Sequence, residues 1–187
     1  APVRDLSQLP MDGGWTYGEV LDKAAAGDFR ANMLAGEYWM GLYYLNRGDL
    51  PLACLEHMQH FFRDAATASG HPAPKLMMTD PYGIFGIFKA QPMQPEHAEW
   101  LAACRKLAEK GDMDAVTALY TVTDLPEAEL RRYLAPLEKK ASSGDQDALA
   151  QLAFIKVDWL KENPANVIET LKQYRKNAKP VLLARIG

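Results

Sequence analysis

The chain has 187 residues, 48% of them hydrophobic, with a formal net charge of -3 and a pI of about 5.8. That is enough apolar material to bury a sizeable core, and the composition carries no signature of disorder. The mild acidity, and the lack of any basic run without acids nearby, remove the electrostatic footprint of a nucleic-acid binder. The longest apolar stretches, such as residues 84–88, fall far short of a membrane span, so no membrane insertion is expected.

In chain order, residues 1–15 read as an extended arm, and Asp12 or Thr16 opens a helix that stops at Gly27. Helical spacing and punctuation predict further helices over 28–47, 51–69, 73–89, 95–110, 112–123, 126–143, 145–162 and 164–178. Pro51, Pro95, Pro126 and Pro164 stand in first turns, where a missing N–H is tolerated. Pro81 and Pro136 fall inside predicted helices and are expected to kink or break them. Asp80-Pro81-Tyr82-Gly83 also has the chemistry of a turn, and 89–95 is the longest irregular connection. No segment reads as a strand. The expected organisation is a single domain over 16–179 with a tail at 180–187.

The pattern Ala-x-x-Gly-Asp-x-x-Ala occurs at Ala24, Gly27, Asp28 and Ala31, at Ala108, Gly111, Asp112 and Ala115, and at Ala141, Gly144, Asp145 and Ala148. The last two copies are 33 residues apart and the first two 84 apart, which leaves room for a worn copy around Ala66, Gly70 and Ala73. Each glycine is read as a helix stop in the left-handed conformation, and each Asp as the cap of the following helix. Four residues after the second Ala come Ala35, Leu119 and Leu152, with Met77 in the worn copy; this slot is the expected intra-repeat core. A period of this size predicts stacked helical pairs, an all-α, right-handed α-α superhelix of about four pairs opened by a half repeat.

These motifs resemble the Sel-1-like repeat, a relative of the tetratricopeptide repeat. Trp100 and Tyr133, each eleven residues before its glycine stop, match the family's aromatic position, and Leu101 and Leu134 follow in step. The likeness extends over roughly 24–178 and departs from the pattern at Gly70-His71-Pro72 and in the short 33-residue third repeat. The resemblance implies a non-enzymatic interaction scaffold whose partner is another protein, such as an envelope adaptor or an immunity protein that neutralises a secreted toxin.

Candidate chemistry is sparse. His57, His60 and Asp64 share one face of a predicted helix and have the donor types of a divalent-metal site, which gives a competing reading as a metal-dependent hydrolase. The plainer reading is a solvated polar face, because neither a His-Glu-x-x-His motif nor a cysteine pair accompanies them. No catalytic residue, resident metal or cofactor is assigned. Glu96 and Glu99, and Glu127 and Glu129, suit helix N-termini; Lys106, Lys110, Lys139, Lys140, Lys172 and Lys176 suit helix C-termini and would form a basic edge. Trp39, Tyr43 and Tyr44 crowd one first helix, and Tyr82, Phe85 and Phe88 the next. Most such aromatics belong to the core, and Tyr44 and Tyr82, with His57 and His60, are the expected partner contacts.

Cys54 and Cys104 lie sixteen and seven residues before Gly70 and Gly111. That offset, about 13 Å along a helix, exceeds the reach of a disulfide, so two buried, unbridged thiols are expected. The chain begins Ala-Pro-Val. This favours a periplasmic or secreted protein after signal-peptide removal, with a cytoplasmic location as the alternative.

Overall fold

The computed structural model describes residues 5–11, 14–45, 53–79 and 95–173. These are helical throughout: α1 (Tyr17–Ala25), α2 (Phe29–Leu45), α3 (Ala53–Ser69), α4 (Pro72–Thr79), α5 (Pro95–Ala108), α6 (Met113–Val122), α7 (Glu127–Ser142), α8 (Gln146–Phe154) and α9 (Pro164–Gln173). No strand occurs among the described residues. A single antiparallel bridge joins Pro10 to Thr16, and Leu6–Gln8 forms a 3-10 turn capped by the Asp5 carboxylate. The described part of the expected arm is therefore folded back rather than extended. The Tyr17 N–H donates to the Leu9 carbonyl at 2.8 Å, which pins the turn to the start of α1.

The helices begin and end where local chemistry dictates. Thr16 and Glu19 form a reciprocal capping box on α1. At the far end, the Gly27 N–H reaches the Ala24 carbonyl at 2.9 Å and the Asp28 N–H reaches that of Lys23 at 3.0 Å. This Schellman pairing recurs at Gly111 (to Ala108) with Asp112 (to Leu107), and at Gly144 (to Ala141) with Asp145 (to Lys140). The three glycines have φ of 84°, 84° and 92°. The Asp28 and Asp145 carboxylates then accept the N–H of Ala31 and Ala148 at 2.8 and 2.9 Å. Fully buried Asn32 ties the first turn further, donating its amide to the carbonyls of Ala24 and Asp28. Gly70 also has a positive φ, 68°, but its N–H bonds to Ala66, so the worn copy closes by a different turn.

Two predicted boundaries change. α7 runs through Pro136 without a break, and the ring lies where a Cβ on Gly111 would meet it at 2.7 Å. The helix expected over 145–162 is α-helical only to Phe154 and then widens into a π turn, Ile155–Trp159. Lys161, at φ 54°, stops it, with the Glu162 N–H on the Lys156 carbonyl at 2.9 Å. No glycine marks this stop, so the sequence offers no punctuation there. Pro81, the turn around it and the 89–95 connection lie outside the described residues.

The helices group into two compact units, Ala1–Lys106 with Met113–Asp124, and Leu107–Asp112 with Leu125–Gly187. In the first unit Val20, Ala24, Ala31, Leu34 and Ala35 form one buried cluster against Met11, Trp15 and Phe61. Here α2 and α3 approach so closely that a Cβ on Gly36 would sit 2.5 Å from the Phe62 ring. Arg30 on α2 pairs with Asp114 on α6 at 2.7 Å. The second unit closes over Leu130, Tyr133, Leu134, Leu149, Leu152 and Ile155, all buried. Ala35, Met77, Leu119 and Leu152, the repeat slot, are each at most 1% exposed. Cys54 and Cys104 are buried and not bridged.

Candidate functional site

The side chains expected to meet a partner or a metal fall mostly in the first unit, on α2 and α3. Adjacent positions on a helix are about 100° apart, so Tyr38 and Trp39 turn to different neighbours. The Tyr38 ring lies 4.9 Å from that of Tyr17 on α1, and 6.0 Å edge-on from Trp39. Trp39 in turn stacks on His57 of α3, with centroids 4.6 Å apart and planes 26° from parallel. Four rings thus run in contact across three helices. Tyr17 is buried at one end, and burial pushes its hydroxyl above the usual tyrosine range. His57 is exposed at the other end. The Trp39 indole N–H between them is buried; among the described residues it makes no hydrogen bond of ordinary geometry, although it lies near enough to the Tyr17 hydroxyl to offset part of that upward shift.

The histidines do not converge on Asp64. His57 is engaged by Trp39, while His60 lies 3.6 Å from the Asp64 carboxylate and 5.4 Å from the Phe61 ring. Among the described residues no group of three or more His, Cys, Asp or Glu side chains is placed to hold a metal ion. Tyr82 and the side chain of Tyr44 lie outside the described residues.

The expected cap carboxylates have further partners. Glu127 takes Arg131 at 2.8 Å, and Arg131 also reaches Glu162 at 3.0 Å; together these carboxylates raise the pKa of the guanidinium. The buried Tyr133 hydroxyl donates to Glu129, and burial first, then this carboxylate, raises its pKa. Lys106, Lys139 and Lys140 occupy the last turns of α5 and α7 and are exposed, as the helix dipole favours.

Sequence reasoning singled out Trp39 and His57 but missed Tyr17 and Tyr38, which complete the row. Their signal was faint, because Tyr17 stands at a helix start and Tyr38 has no periodic partner until α1 folds against α2. Phe154 was missed as well. It is 58% exposed, ends α8, and lies edge-on at 6.4 Å to Trp159 of the π turn that no sequence pattern announced.

No family model, no curated protein and no solved structure matches the chain.

Proposed function

We propose that this protein is a non-enzymatic protein-interaction module, a Sel-1-like solenoid that holds another protein on the wall formed by its first helices. The observation that carries the reading is the threefold recurrence of one turn, a Schellman closure at a glycine followed by Asp, with the same buried slot after it. A chain that repeats one helix–turn–helix unit builds surface rather than a single catalytic centre. The α2–α3 surface supplies anchors, since Trp39 and His57 form a rigid aromatic step and aromatic anchors dominate binding energy at interfaces. A preformed face of this kind loses little conformational entropy on binding. The role that fits best is an exported bacterial adaptor, or an immunity protein that occludes a toxin's active site.

The test is co-purification of the tagged chain with co-expressed products of adjacent genes, repeated with Trp39→Ala and His57→Ala. A stoichiometric partner whose affinity falls at least about tenfold with Trp39→Ala, while helicity is retained, supports the reading. Binding indifferent to both substitutions removes the α2–α3 surface from it. Stoichiometric zinc lost on His60→Ala overturns the non-enzymatic class.

A further inference from the structure

The turn that departs from the repeat contains a titratable cap. In the first and last copies an Asp carboxylate accepts the N–H of the second repeat alanine, Ala31 or Ala148. In the worn copy the corresponding alanine is Ala73, and its N–H donates to Nδ1 of His71 at 3.1 Å. His71 is itself fixed from both sides. Its N–H donates to the Ser69 hydroxyl, which donates on to the Ala65 carbonyl, and its ring packs at 5.4 Å on Phe29. Pro72, directly after it, is the first residue of α4 and has no N–H to offer, so Ala73 carries the first backbone donor of the helix.

We propose that the α3–α4 turn is an acid-sensitive hinge, closed while His71 Nδ1 accepts the Ala73 N–H and released when that nitrogen takes up a proton. An accepting Nδ1 requires the neutral ring with its hydrogen on Nε2; a protonated ring donates from both nitrogens and accepts at neither. The added charge also sits at the positive end of the helix dipole. Imidazole is the side-chain base suited to changing charge in mildly acidic solution, where a carboxylate still accepts, which sets this cap apart from the Asp caps of the other copies. The hinge matters to the first unit because α4 packs against both α3 and α6 and buries Ala73, Leu76 and Met77. The titratable and charged residues on the surrounding elements are Asp28 before α2, Arg30 and Glu37 on α2, Glu56, His57, His60, Arg63 and Asp64 on α3, Lys75 on α4, and Asp114 on α6, already paired with Arg30.

The experiment is amide hydrogen exchange at Ala73, corrected for intrinsic rates, between about pH 7.5 and pH 5.5, in the unmodified chain and in His71→Asn. Asn caps without titrating in this range. Protection of Ala73 is expected to fall roughly tenfold more in the unmodified chain than in the variant; an identical fall in both overturns the proposal, and the comparison cancels His57, His60 and His97. Imidazole nitrogen NMR of the unmodified chain decides independently of whether His71→Asn folds. An unprotonated Nδ1 on His71 at neutral pH is expected, and a hydrogen on Nδ1 refutes the hinge.

Discussion

Gly27 and Gly111 share a φ of 84° but not an environment: a Cβ at Gly27 meets nothing within 4 Å, whereas one at Gly111 lands 2.7 Å from Pro136. Gly27→Ala should cost about 1–2 kcal/mol for a left-handed non-glycine residue. Gly111→Ala should cost that plus a further 1–3 kcal/mol or so of overpacking. Urea unfolding of the two variants measures the difference directly, and equal losses would show that Pro136 yields freely. Glu19 offers a pH test at the same scale. The Thr16 backbone N–H, donating at 2.7 Å, holds its carboxyl below the usual glutamate range. A depressed carboxylate contributes stability above its unfolded pKa and loses it as pH falls through the folded one. The Glu19 carboxyl resonance should therefore titrate below the ordinary glutamate range, and Glu19→Gln should flatten the acid limb of the stability curve. A midpoint at or above the ordinary value would mean that the capping box does not persist in solution.

At the scale of elements, α2 and α3 pack closely where Gly36 admits the Phe62 ring. Gly36→Ala should destabilise the first unit by about 1–3 kcal/mol, although alanine is the better helix former. Adding Phe62→Leu should recover part of the loss, because the two positions share one contact. Strict additivity in a double-mutant cycle would argue that the helices do not meet there. The same contact brings α3 alongside α2 and lets His57 stack on Trp39. The helix that carries the candidate anchor is thus held close by a glycine whose missing side chain makes room for the Phe62 ring.

For the molecule as a whole, the thiols report on how firmly the first unit is closed. Cys54 on α3 is 5% exposed and Cys104 on α5 is fully buried. Both should react with a thiol reagent only as fast as the unit opens, and at the ordinary rate once it is unfolded. Rapid reaction of either in the native protein would show that its helix detaches readily. Partner binding on α2–α3 should slow Cys54 labelling further, which links this measurement to the proposed function.

Much of the local structure was legible from residue chemistry alone. Helix type, the turns at Gly27, Gly111 and Gly144 and the slot filled by Ala35, Leu119 and Leu152 follow from glycine's freedom at positive φ and from side-chain oxygens near unpaired N–H groups. These forces act within a few residues, so one sequence carries them in full. Other features needed neighbours distant in the chain. Pro136 keeps its place in α7 beside Gly111, α8 widens and stops at Lys161 without a glycine, and Tyr17, Tyr38, Trp39 and His57 come together only when three helices pack. His57, His60 and Asp64 show the converse, since shared spacing on α3 suggested one cluster and packing against Trp39 divided it. Periodicity assigns a side chain to a face of its helix; what that face meets is decided by tertiary packing, because contact depends on the separation of whole helices and not on their residue order.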